Sequence, residues 1–394
     1  MKVTVVGAVG IDEHIKIEDV RYLPSPFKKY IKKTLAYSQI QEVYGPEWTV
    51  EKVFGELKER AIEPVIYSYG GRAPHVAYGL AKLENKASLV TTFGGDYNEA
   101  YPGFFGGGYL EHLIRAGVEI QHREIGIPEK IWRKPEIEDY LKEKLGKELY
   151  EIGVLVVINK KTSKITCVKD KKGNDFFYID DINGASIVEK WREAPTQLIS
   201  NSDMVFITSS ETSFMQRNAK EAYTQGKRLL VDIGSYGITS EYIKEVVPKA
   251  EIIMGNPYEI EQILQTDSLK SIEEIFTIDT KYPKYILIEN KIEGYVDIYA
   301  RGEIKKRIGP VKLQKKGNSV GCCDAIATGV ISGIANKIDI ETSVAIGLLE
   351  ASSVWDVEGV QEGMLDKNGL IKRAKENIDR LGKDIVQTII ERYS

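Results

Sequence analysis

The chain has 394 residues, 42% of them hydrophobic and 28% charged, and carries a net charge of −4 with the two signs interspersed. That balance suffices for a large buried core and offers no basic face of the kind phosphate-backbone binding requires, so no nucleic acid partner is expected. No apolar run approaches the roughly 20 residues of a membrane span, "MKVTVVGAVG" continues into acidic sequence instead of a cleavage site, and three cysteines are too few for a disulfide framework, so a cytoplasmic protein without membrane association is expected.

"KVTVVGAVG" is a short β-branched run closing on glycine and predicts a buried first strand that turns at its carboxyl end. From about Ile15 to Tyr69 the sequence is polar, aromatic and Pro-punctuated, with an amphipathic helix predicted in "WTVEKVFGELKERA"; the segment 15–69 reads as an inserted cover. Gly70-Gly71 then makes a tight turn, Pro74 suits a first helical position, and Val76, Leu80 and Leu83 space a helix leading into the strand "ASLVTTF". "FFGGGYLEHLIRAGVEI" repeats the helix-to-strand pattern, and the charged stretch "IPEKIWRKPEIEDYLKEKLGKE" after it predicts a solvated, partly helical boundary. The alternation and turn signals from Glu148 to Asp181 predict antiparallel hairpins, which makes 123–185 a second, β-rich cover. From Ser202 onward "MVFIT", "RLLVDI", "EIIMG" and "YILIE" alternate with helical segments, as in a doubly wound, mostly parallel sheet. The expected architecture is a single α/β domain over 1–394 with two lid-like insertions.

Common nucleotide motifs are missing. No G-x-x-x-x-G-K-[ST] loop occurs, "GAVGID" lacks the third glycine of the dinucleotide fingerprint, and His14, His75, His112 and His122 show no metal spacing. The stretch "NSVGCCDAIATGVISG" is more informative. Gly321, Cys322 and Cys323 precede Asp324 at the start of a small-residue helix, where first-turn amides can hold a phosphate or an oxyanion. A carboxylate at that end of the dipole stays ionised and can accept a proton from an alcohol. The plainer reading is a first-turn acid stabilising its own helix, with the cysteines as small core residues.

Taken with four other segments, this stretch resembles the ribokinase-like (PfkB) family of sugar and nucleoside kinases, whose usual signature is D-T-x-G-A-G-D-A-F-x-x-G. "GGRAPHVAYGLAKL" is similar to the family's first signature, "VVGAVGID" to its first strand with a following acid, "TTFGGDYNEAYPGFFGGGYLEHLIRAGVEI" to its glycine-acid turn and helix, and "GNPYEIEQIL" to its N-x-x-E motif. The resemblance implies a ribokinase-like doubly wound sheet with a β-rich lid, and transfer of the γ-phosphate of ATP to a hydroxyl of a sugar or nucleoside with Mg2+. It implies Asp324 as the base and the amides of Gly321, Cys322 and Cys323 as the anion hole. Asp12, Gly70, Gly71, Arg72 and His75 would bind substrate, Asn256 and Glu259 would order Mg2+ and phosphate, and Gly294 and Asn318 would face the nucleotide. Asn256 before Pro257, with Glu259 in the first turn, is also a sound helix start by itself.

Departures from the pattern are specific. G-A-G-D is G-C-C-D here, Asn318 stands where the family has an Asp tied to a monovalent cation, His75 replaces a sugar-binding Asn, and T-x-G-x-x-G appears as "IENKIEGYV" with only Gly294 kept. These changes leave two alternatives beside the ATP-dependent kinase: a ribokinase-like binding or regulatory protein with impaired catalysis, and a kinase using another donor such as ADP. Arg72 stands near a position that resembles one often occupied by Lys in ribokinases, and together with His75 it suits a phosphorylated or anionic substrate. The aromatic residues of the covers (Tyr22, Tyr30, Tyr37, Tyr44, Trp48 and Trp132) suit stacking on a base and a homodimer contact through paired lids equally.

Overall fold

The computed structural model describes residues 1–28, 34–132, 136–181, 183–234, 239–266, 272–276, 283–290, 293–300, 306–313, 320–357 and 359–394. The strands run β1 (Lys2–Val6), β2 (Gly10–Ile17), β3 (Thr34–Ala36), β4 (Ile66–Gly70), β5 (Lys86–Gly94), β6 (His122–Ile125), β7 (Val154–Val157) and β8 (Lys164–Asp170). They continue as β9 (Asp175–Ile179), β10 (Met204–Ile207), β11 (Arg228–Asp232), β12 (Ile252–Gly255), β13 (Tyr285–Asn290), β14 (Tyr295–Ala300) and β15 (Lys306–Ile308). Among the described residues, ten strands form one sheet in the order β15-β14-β13-β12-β11-β10-β1-β5-β7-β6, and five form a second in the order β3-β9-β8-β2-β4.

The large sheet is parallel from β6 to β13, with β14 and β15 added antiparallel at one edge. Its central strands read as continuous apolar runs because both faces are covered. Val3, Val5, Met204, Phe206, Leu230 and Met254 feed one core under the helices Arg72–Lys82, Tyr109–Arg115, Cys322–Ala335 and Ile340–Trp355. Val6, Val205, Ile207, Leu229, Val231 and Ile253 feed the opposite core under Thr212–Thr224, Ser240–Val246 and Pro257–Thr266. Strand β1 lies between β5 and β10, and the chain order reverses about it, the place where a crevice opens at the carboxyl ends of the strands.

The small sheet stands over that crevice as a lid. Ile15, Ile17, Val168, Phe176 and Tyr178 on one of its faces bury against Phe27, Tyr44, Trp48 and the predicted amphipathic helix, found at Val50–Glu59. Asp12 lies on the opposite face of β2, since side chains alternate along a strand. The lid differs from the expected covers in two respects. It begins at Gly10, before 15, because β2 pairs with both β4 and β8. Within 123–185, β7 joins the large sheet beside β5, so β8 and β9 form the hairpin that belongs to the lid. An all-apolar "VLVV" has no polar face to turn outward, and the buried large sheet takes it. The helix after the Gly-Gly turn also starts at Arg72, two residues before Pro74. Proline is tolerated there because first-turn amides have no partner inside the helix.

Candidate active site

Three segments distant in sequence meet where β1 ends. Gly7 donates its N–H to Val90 O at 3.1 Å and Ala8 to Ser209 O at 2.9 Å, so the chain leaves β1 between β5 and β10 and enters β2 with Asp12 above the crevice. Strand β4 returns to the same place and ends at Gly70. A Cβ on Gly70 would lie 2.1 Å from Asp12 Oδ1, and Gly71 has φ 90°, so the turn needs both glycines to bring β4, β2 and the next helix this close. Tyr109 Oη donates to Gly70 O at 2.6 Å and holds the turn in place.

That turn projects Arg72 and His75 onto Asp324. The helix Cys322–Ala335 is buried along its whole length, and its N-cap Gly321 is left-handed with φ 76°. Asp324, 5% exposed in the first turn, accepts from Arg72 Nε on Oδ1 at 2.9 Å and from His75 Nδ1 on Oδ2 at 2.9 Å. His75 Nε2 lies 2.8 Å from Tyr69 O. A carbonyl and a carboxylate only accept, so both ring nitrogens donate and His75 is an imidazolium. Burial alone would lower the His75 pKa, but the hydrogen bond and charge of Asp324 raise it. Burial would likewise raise Asp324; the His75 hydrogen bond and the Arg72 charge outweigh it and hold the carboxyl below its ordinary value.

Arg72 also reaches the other side of the crevice. Its guanidinium meets Asp232 Oδ2 at 2.7 Å and donates to Ser209 Oγ at 3.3 Å. Asp232 ends β11, where Thr208 Oγ1 at 3.4 Å and Gly234 N at 3.3 Å complete its contacts. Burial, with Glu259 and Asp324 nearby, pushes Asp232 up against the pull of Arg72. Asn256 and Glu259 form a reciprocal capping box after β12: Asn256 N–H donates to Glu259 Oε2 at 2.8 Å, and Glu259 N–H to Asn256 Oδ1 at 3.0 Å. Glu289 on β13 is buried beside them, within electrostatic reach of Asp232, Glu259 and Arg72, with the Cys323 thiol adjacent. Burial, then the charge of Asp232, pushes its pKa well above the ordinary value.

The structure thus brings Asp12, Gly70, Gly71, Arg72, His75, Asp324 and the turn Gly321–Cys323 to one place, and sets Asn256 and Glu259 across Arg72 from Asp324. Gly294 lies on the far side of Cys322, at the turn into β14. There it lines an apolar cleft of about 10 Å3 with Val311, Leu313, Leu348, Ala351, Ser352 and Trp355. Asn318 lies outside the described residues. The three cysteines carry free thiols. Among the described residues no three metal-ligating side chains converge on one point, and no helix is long and apolar enough to cross a membrane. Sequence reasoning missed Ser209, Asp232 and Glu289. The available signal was an acid closing each of two apolar runs, "RLLVD" and "YILIE", at the edge of a parallel sheet where ligands bind.

Comparison with known proteins bears on the fold and the family. A nucleoside kinase of Methanothermobacter thermautotrophicus is 22% identical over 315 residues, covering 79% of this chain and 86% of that protein. The structure of Burkholderia thailandensis nucleoside kinase in complex with inosine superposes with a TM-score of 0.68 at 15% identity, covering 97% of this chain and all of that one. Arabidopsis thaliana ribokinase complexed with ribose and ATP gives a TM-score of 0.63 at 15% identity, covering 94% and 98%. These two likenesses show a shared ribokinase fold. The profile of the pfkB family carbohydrate kinases matches residues 137–368, more than half of the 394. The chain belongs to the pfkB family of carbohydrate kinases.

Proposed function

We propose that the chain transfers the γ-phosphate of ATP to a sugar hydroxyl of a nucleoside, with Asp324 as the base. The observation that carries this reading is the placement of an ionised, buried carboxylate at a helix N-terminus between two polar groups of different character. On one side lies Asp12, whose Oδ1 is buried without a hydrogen-bond partner, as suits a carboxylate awaiting a substrate hydroxyl. On the other side lie the carboxyls of Asp232, Glu259 and Glu289, where the donor phosphates would enter with a cation. Support for a nucleoside over a free sugar comes from the relatives, a nucleoside kinase by sequence and an inosine-bound nucleoside kinase by fold. Support for ATP comes from the family and from the ATP complex of the ribokinase.

Each residue then has a physical task. Asp324 orients the attacking hydroxyl and takes its proton; Arg72 and His75 occupy one acceptor position on each oxygen and leave a second lone pair on each for the substrate. Two cations on one carboxylate lower its basicity, which matters little in a loose transition state where the proton leaves late and positioning dominates. Arg72 and His75 hold the base here instead of binding an anionic substrate, because their nitrogens are directed to Asp324, Asp232, Ser209 and Tyr69. Arg72 lies between the two ends of the site, and its charge offsets that of the migrating group, while the amides of Gly321 to Cys323 donate to its oxygens. The lid strands β2 and β4 carry Asp12 over the acceptor and exclude water. Mg2+ fits the donor side, since it takes one or two carboxylates together with phosphates and waters; Glu259, placed by Asn256, would hold it. When bound, it would neutralise charge on the triphosphate.

The test is a turnover screen of nucleosides and free sugars against ATP, ADP, GTP and pyrophosphate. Phosphorylation of nucleosides with ATP preferred is the expected outcome. Ligand binding by calorimetry without turnover on any pair would refute the kinase reading.

A further inference from the structure

Beyond Arg72, on the donor side, acidic side chains gather. Three neighbouring strands deliver carboxyl groups to one edge of the sheet: Asp232 ends β11, Glu259 stands in the first turn after β12, and Glu289 lies on β13. Arg72 acts on all three, yet its guanidinium is already committed to Asp232 and Asp324. Glu289 is the anomalous member. It is 1% exposed, neither of its carboxyl oxygens meets a nitrogen or oxygen partner, and what stands beside the group is the weakly hydrogen-bonding Cys323 thiol. Buried carboxyls with so little hydrogen bonding are rare in folded proteins, because the group loses its hydration and gains little in return, and such a group is suited to receive a ligand. A structural role does not account for it, since Ile286, Leu287 and Ile288 before it are buried and apolar and a leucine would continue that run.

The sequence departs from the family pattern at the same place. "IENKIEGYV" has an acid where the strand runs into T-x-G-x-x-G, and the Cys323 thiol on the anion-holding turn lies beside that acid. A carboxylate beside a site for phosphate oxygens repels them unless a cation stands between. We infer that Glu289 is a ligand, directly or through one water, of a divalent cation that arrives on the donor phosphates and is shared with Glu259 across the ends of β12 and β13. This inference rests on the kinase reading above. It also fits the lack of a closed cage among the described residues, because Mg2+ keeps several waters and completes its octahedron with phosphate oxygens.

The experiment uses the full chain with Mn2+ as the probe and the β,γ-imido analogue of ATP as an unreactive donor. Electron paramagnetic resonance reads free Mn2+, and thermal melting reads stabilisation. The parent is expected to bind one Mn2+ in the presence of the analogue and to melt higher with both than with the analogue alone. Glu289→Gln is expected to fold, to melt at or above the parent without cation, and to bind Mn2+ at least about tenfold more weakly. Glu289→Asp keeps the charge with a shorter reach and is expected to fall between the two, which covers the case in which the amide variant fails to fold. Mn2+ affinity within twofold of the parent in both variants would overturn the inference. Failure of the kinase reading is a separate result, seen as Mn2+ binding by the parent with no acceptor phosphorylated.

Discussion

Asp324 shows how one side chain answers to several neighbours at once. In isolation a first-turn acid is an ordinary helix stabiliser; here the same carboxylate is also the counter-ion of a guanidinium and an imidazolium, both reached across about 250 residues of chain. Asp324→Asn should lower kcat at least about 100-fold, the size of a general-base contribution, in steady-state assays run well below the melting transition. The same change should lower the melting temperature, because His75 and Arg72 lose their buried counter-charge. Turnover within a few-fold of the parent would remove Asp324 from the mechanism whatever its effect on stability. Cys323 is tolerated on the anion-holding turn because it begins a helix, where φ is negative, while the left-handed residue before the helix is Gly321.

At the level of elements, the geometry depends on short turns that admit few residues. Gly321 has φ 76°, and a Cβ there would lie 2.4 Å from the Val360 side chain, so two independent penalties fall on any replacement. Gly321→Ala should cost about 1–2 kcal/mol from backbone conformation alone, measured by chemical denaturation, and displacement of the first-turn amides should raise the KM for ATP. The capping box of Asn256 and Glu259 makes a different kind of device. The plain helix-start reading describes its two reciprocal hydrogen bonds, and the cap fixes the direction of a carboxyl that also faces Arg72 and Glu289. Structure and charge placement are satisfied there by the same two side chains.

At the scale of the whole molecule, the buried Arg72–His75–Asp324 unit ties the lid-bearing turn to the helix layer, and its protonation links that tie to pH. Asp324 is held below its ordinary value, so its contribution is present above the usual carboxylate range and is lost as pH falls through the folded value. His75 is raised, so its contribution is complete below about pH 6.5 and is lost as pH rises through the folded value. Melting temperature against pH should therefore show a plateau bounded on both sides, and His75→Gln should flatten the alkaline limb and shrink the acid limb, because Asp324 then loses the hydrogen bond that holds it low and keeps only the pull of Arg72. An unchanged alkaline limb would mean that His75 is neutral in the folded protein.

Fold and family were legible in the residues because they rest on local regularities. Apolar runs such as "MVFIT" alternating with helical spacing predict a parallel sheet covered on both faces, and glycines at fixed offsets mark the turns that any member of the family must make. Tertiary structure alone decided which strand of the second cover joined which sheet, since "VLVV" carries no sign of its neighbour and its burial depends on β5 being beside it. It alone also decided that Arg72 and His75 face Asp324, and that Asp232 and Glu289 crowd behind them. An acid at the end of a strand looks the same in sequence whether it meets water, a lysine or another buried acid. Its chemistry is set by desolvation and by charges brought near through folding, and neither is a property of the segment that carries it.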